Sequence, residues 1–262
     1  MQSFILSLQS EFYKSRKTLA FWSAIILPLA ITGLVFLGSY TNSHKMADNP
    51  AILLWFRYVS AIMGPMGILL LPMFVVFIAY SVNNLEHRSE MWKSLFSLPI
   101  NKWSIYGSKF AFCLILNAFC LSLFATLILA SGNLLGFLKP ELKFHDYSVV
   151  KLVYDLHLKL FLSSLGILSL QFLMSLIWSD FLKPMGIGFV GTIAAIISVN
   201  VNWEYVRFFP YAHPLIAIQS GPGKVKVTQQ IDFFTSEIIV SLSIAVVAFI
   251  AGYFIVSKRS VK

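Results

Sequence analysis

Five histidines, two cysteines and eleven carboxylates are the side chains here that could hold a metal or move a proton. Their spacing assembles none of the usual machinery. His44, His87, His145, His157 and His213 form no H-x-x-x-H pair, no H-E-x-x-H helix and no zinc-type cluster with cysteine. His145 and Asp146 are adjacent by chance, and Asp155 and His157, two apart, would not share a helical face. Cys113 and Cys120 are seven apart, and two helical turns separate them by ~10 Å, too far for a disulfide, so both read as packing residues. There is no G-x-x-x-x-G-K-[ST] loop to cradle phosphates and no G-x-S-x-G elbow to present a nucleophile. Enzyme chemistry, metal or bound nucleotide on this chain is therefore not expected.

The elements that would have to position any site explain this poverty. Six apolar stretches free of charged side chains run over residues 18–40, 58–82, 110–131, 160–179, 184–199 and 238–257. Crossing ~30 Å of hydrocarbon takes about 20 helical residues, and in lipid a helix satisfies its own backbone hydrogen bonds. Each stretch reads as a spanning helix. Composition agrees, with 58% hydrophobic residues, 12% charged and a mean hydropathy of +0.78. The expected fold class is an all-α membrane protein, one six-helix transmembrane domain over residues 1–262 with no separate soluble domain and no internal repeat. No Asp, Glu, Lys, Arg or His lies deep in these stretches, so the proton relays and ion-coupled carriers that use such groups are disfavoured. Asn117 and Gln171, the notable deep polar residues, are of the kind that stitch helices together.

The net charge of +9 does not indicate nucleic acid, because the basic residues are scattered over loop ends rather than gathered with stacking aromatics. They report topology. With six spans both termini share a side, which carries Lys14, Arg16, Lys17, Arg88, Lys93, Lys102, Lys109, Lys183, Lys258, Arg259 and Lys262. That is eleven of the 20 basic residues, on the shorter set of loops, and the positive-inside rule puts this side in the cytoplasm. The first apolar run is too long for a signal h-region and has no A-x-A-like cleavage site, so it is expected to remain as a span.

Residues 1–17 form an amphipathic helix on paper, with Phe4, Ile5, Leu8 and Phe12 in one stripe and Lys14, Arg16 and Lys17 at the cationic end. It would lie in the membrane interface or, alternatively, extend the first span and merely hold topology. Pro28, Pro65 and Pro72 fall within the first two spans and would kink them.

The loop 83–109 is longer than a connector needs to be. Asn83 or Asn84 could cap a helix with Glu86 and Glu90 in or near its first turn, Lys93 later, and Pro99 as its stop. Met91, Trp92, Leu95, Phe96 and Leu98 share one half of the wheel; Glu86, Glu90, Lys93 and Ser97 take the other. Periodicity weighs two readings equally, a docking element for a cytoplasmic partner and a helix that seats the bundle against headgroups. Lys102 and Trp103 follow as interface anchors. On the other side, residues 132–159 have the mixed charge of a solvated loop. The outer loop 200–237 is too apolar for that and too broken by proline to span, which suggests re-entrant or interfacial segments.

Together these residues resemble the permease subunit of an exporter-type ABC transporter of the second exporter class, and within it the lantibiotic-immunity branch. The resemblance runs nearly end to end. It rests on the basic start E-F-Y-K-S-R-K-T, the loop E-H-R-S-E-M-W-K-S-L-F-S-L-P with I-Y-G-S-K, the stretch Q-F-L-M-S-L-I-W-S-D-F-L-K-P-M-G-I-G, and the outer F-P-Y-A-H-P-L. It implies that residues 1–17 are an interfacial connecting helix and that the segment 86–98 is a coupling helix seated in an ATPase subunit. Glu86, Arg88, Glu90 and Lys93 would make the polar contacts there, while Met91, Trp92 and Leu95 pack the helix to the bundle. ATP and Mg would bind the partner chain. A second permease copy or a related permease would complete the pathway, and the cargo would be hydrophobic or amphipathic. The competing expectation is an ATP-independent membrane scaffold or small channel-like bundle.

Overall fold

The computed structural model describes residues 2–88, 101–219 and 231–258. These residues are helical and contain no strand. A short helix α1 (Gln2–Ser15) is followed by α2 (Leu19–Thr41), then α3 (Ala51–Pro65), a widened π-helical turn (Met66–Leu70) and α4 (Leu71–Arg88), which together make one span. The third span is α5 (Lys102–Leu138) and the fourth α6 (Val150–Ile177). The fifth is α7 (Leu182–Asn200), and a buried short helix α8 (His213–Gln219) precedes the last, α9 (Ser236–Lys258). Six helices are thus long and apolar enough to cross a membrane.

Local chemistry sets several boundaries. Thr18 ends the turn after α1 and caps α2, its hydroxyl donating to the Ser15 carbonyl at 2.7 Å and accepting from the Phe21 amide at 3.3 Å. Asn101 caps α5 by accepting from the Trp103 amide at 2.9 Å. Pro65 brings no amide proton to its helix, and the chain answers with the wide turn at Met66–Leu70 rather than a break. The π turn falls at the expected proline site in the second span, and the helix runs on through Pro72 to Arg88.

The bundle is built around α4, α5 and α6, whose buried side chains include Phe74, Val75, Ile78, Phe124, Ile128, Ile167 and Phe172. The outer helices α2, α7 and α9 pack on it through small residues. Those of α2 are Ala20, Ala24, Pro28 and Thr32, those of α7 include Gly188, Thr192 and Ala195, and those of α9 include Ser241, Ala248 and Gly252. Their large side chains, such as Trp22, Leu34, Val190, Val247 and Phe254, point outward. In lipid there is no hydrophobic gain in turning a leucine inward, so close backbone approach decides the packing face. At the α6–α9 crossing the Ser241 hydroxyl accepts from the Gly166 amide at 2.9 Å.

Two helices exceed the lengths expected from hydropathy. At 37 residues, α5 is about 55 Å long and overshoots the hydrocarbon at its ends. The fourth span was expected at residues 160–179, but α6 starts ten residues earlier, and His157 and Lys159 lie buried within it. Lys159 meets Glu237, in the first turn of α9, at 3.7 Å, which sets it at the span's end rather than its middle.

Candidate functional site

Where α1, α4 and α5 meet, on the side of the termini, four charged side chains close into a ring. Glu11 and Lys14, three apart on α1, share a face of that helix, and their side chains meet at 2.6 Å. Glu86 lies in the last turn of α4, and Lys109 lies two turns into α5. Lys14 Nζ stands 2.8 Å from Glu86 Oε1, Lys109 Nζ 2.6 Å from Glu86 Oε2, and Lys109 Nζ donates to Glu11 Oε2 at 3.0 Å. Each ammonium therefore bridges both carboxylates. The ring carries no net charge, which is the condition under which buried ions are tolerated. Glu11 and Glu86 are 3% and 2% exposed and Lys109 is fully buried, so only Lys14 reaches solvent. Burial pulls the Lys14 ammonium down, but the Glu11 and Glu86 carboxylates outweigh it and hold its pKa above that of an ordinary lysine.

The sequence-expected residues scatter around this ring. Glu86 was expected to face a partner; it faces inward instead, because two lysines from other helices converge on it. Arg88 ends α4, and nothing is described of its side chain, whereas Glu90, Met91, Trp92, Lys93 and Leu95 lie outside the described residues. On α1, Phe4 and Leu8 are partly buried, with Leu8 packed against the core and Phe4 near Gly107 of α5, while Ile5 and Phe12 are exposed and Phe12 meets Phe21 edge to face at 5.7 Å. Phe4 and Leu8 thus form the packed edge of the expected stripe, and Ile5 and Phe12 its exposed edge. Lys14 is drawn into the ring, and Arg16 and Lys17 are exposed at the α1–α2 junction, Arg16 lying over the Tyr13 ring. Glu11 and Lys109 were not singled out. Their one sequence signal is that each lies close to a span end, with a serine before it and a phenylalanine after it.

The opposite end is closed by the segment between α7 and α9. Tyr211 enters the bundle, accepting from Gln171 Nε2 of α6 at 2.6 Å, and its ring lies against Gly191 of α7. Ile218 of α8 packs on Gly67 inside the π turn, where a Cβ would meet the end of the Ile218 side chain. His213 Nε2 donates to the Arg207 carbonyl at 2.9 Å, and Nδ1 has no hydrogen-bond partner among the described residues. Burial lowers the His213 pKa, opposed by that hydrogen bond and by the Glu237 carboxylate. Asn117 bonds Ser164 at 2.9 Å and Asn83 bonds Ser175 at 2.8 Å, side chains that join helices rather than converge on a reacting atom. Among the described residues no three His, Cys, Asp or Glu side chains could hold a metal ion.

Compared with known families, residues 7–195 match the one described as ABC-2 family transporter protein. No curated protein and no solved structure matches the chain. With six apolar spans and a family match over more than half its length, the chain belongs to the ABC-2 transporter family and is a multi-pass membrane permease of an ABC transporter.

Proposed function

We propose that this permease works as an exporter powered by a separate ATPase chain, which binds ATP and Mg at its own site. The termini and the loop 83–109 lie in the cytoplasm, and the membrane is the cytoplasmic membrane. Arg88, Glu90, Met91, Trp92, Lys93 and Leu95 form the coupling segment, with Glu86 as its internal anchor rather than a contact. The cargo is hydrophobic or amphipathic, and two permeases, identical or related, enclose the pathway. The lantibiotic-immunity branch remains the subfamily this reading favours.

One observation carries the proposal. The charged ring fastens α1 to the last turn of α4 at Glu86 and to α5 at Lys109, two turns into that helix, so both flanks of the loop share one footing. Force on that loop would move α1, α4 and α5 together rather than fray one helix end. The α4 span then leads through the π turn to α8, which gives the motion a path to the far side.

The test is affinity purification in mild detergent from native membranes, followed by an ATPase assay. Reversing charge at Glu90 and Lys93 is expected to cut recovery of an ATPase chain without lowering the Tm of the permease. Recovery of the permease alone from several detergents and lipids, with no ATP hydrolysis, would overturn the proposal in favour of an ATP-independent bundle.

A further inference from the structure

Between α5 and α6 the helices leave a groove of about 380 Å³, within the range of small-molecule pockets. Leu121 and Ala125 of α5 face Phe161 of α6 across it, and Tyr154, Asp155 and His157 complete the α6 wall. Although Asp155 and His157 stand only two residues apart, the groove is broad enough to be lined by both. It sits near the end of the bundle remote from the termini, since Lys159, one turn on from Asp155, pairs with the first turn of α9.

The walls are apolar, and the charge among them is Asp155. Its carboxylate is half-buried and makes no hydrogen bond or ion pair with any described residue. The lysines one turn away do not neutralise it: Lys151 is exposed, and Lys159 is engaged with Glu237. His157 Nδ1 donates to the Val153 carbonyl at 2.7 Å, leaving Nε2 without a hydrogen-bond partner among the described residues. The Tyr154 ring is exposed at the mouth. A partly desolvated, unpaired carboxylate beside an aromatic face is the local chemistry that favours an organic cation, and apolar walls favour an alkyl tail.

We propose that this groove binds a cationic amphiphile, its alkyl chain along α5 and α6 and its ammonium head on Asp155 against Tyr154. The ligand enters sideways from the bilayer, because Tyr154 and Leu158 line the groove and remain exposed. The site goes beyond the transport proposal and needs no ATPase to be occupied.

The test is equilibrium binding of labelled dodecyltrimethylammonium to the full chain in phosphatidylcholine nanodiscs, with empty nanodiscs subtracted. Saturable binding is expected, weakened about tenfold in Asp155→Asn and abolished in Ala118→Phe, which places a ring on a partly exposed position of the groove wall. Asp180→Asn, at an exposed carboxylate elsewhere, should leave it unchanged. Thermal unfolding of each variant separates lost binding from lost fold, and the conservative Asp155→Asn keeps the test decisive if the larger substitution unfolds. Undiminished binding in Asp155→Asn, no binding above empty nanodiscs, or equal competition by neutral dodecyl maltoside would each overturn the site. None of these outcomes depends on whether an ATPase partner is found.

Discussion

Lys109 Nζ lies 2.6 Å from Glu86 Oε2 with both side chains out of contact with water, and it reaches Glu11 on a third helix with a second hydrogen. Charge balance, more than any single contact, holds this ring. Lys109→Met would leave two buried carboxylates sharing the Lys14 ammonium, at a cost of about 3 kcal/mol. Lys109→Met with Glu11→Gln leaves one neutral pair and should recover most of that loss. Thermal unfolding in detergent reads both, and the idea fails if the double variant is no more stable than the single one.

The ring should be insensitive to pH near neutrality as far as Lys14 is concerned. Its folded pKa lies above its unfolded value near 10.5, so its contribution is fully present below that value and is lost only as pH rises past it. His213 behaves in the opposite sense. Its folded pKa lies below the unfolded value near 6.5, so the unfolded chain binds more protons, and stability falls as pH drops through 6.5 toward the folded value. Between pH 7.5 and 5.0 the native Tm should therefore fall further than that of His213→Gln, which still offers a donor to the Arg207 carbonyl. Parallel losses in the two proteins would remove His213 from the account.

Gly67 is where the far-side segment is seated. A Cβ there would collide with Ile218 Cδ1 and stand 3.1 Å from the Pro214 carbonyl. Gly67→Ala should cost about 1–3 kcal/mol by overpacking, and adding Ile218→Ala should return part of it. Amide exchange in α8 measures the seating directly. Unchanged protection in Gly67→Ala would show that the π turn yields without disturbing α8.

Gln171 and Tyr211 test the same seam by polarity. Tyr211→Phe leaves the buried Gln171 amide without this acceptor, whereas Gln171→Leu with Tyr211→Phe removes both partners. The single change should cost about 1–2 kcal/mol, and the pair should cost less than the sum of the two singles. Strict additivity in a double-mutant cycle would mean the 2.6 Å contact contributes nothing of its own.

The sequence by itself determined the six spans, because lipid offers no partner for a backbone amide and only helices of that length solve the problem. It also lacks the G-x-x-x-x-G-K-[ST] pattern, which is a matter of residue type and spacing. The packing face of each span was not legible. Residues such as Leu34 and Leu54 are equally apolar, yet the first is exposed and the second buried, because shape rather than polarity selects the inward face in a membrane. Asn117 and Gln171 were read correctly as stitches, since a deep amide must find a partner. Glu86 was read by its helical wheel as a surface residue, and the wheel knows nothing of neighbouring helices. Only the tertiary structure brings Glu11, Glu86 and Lys109 together from distant parts of the chain, and buried charge is stable only where opposite charge converges on it.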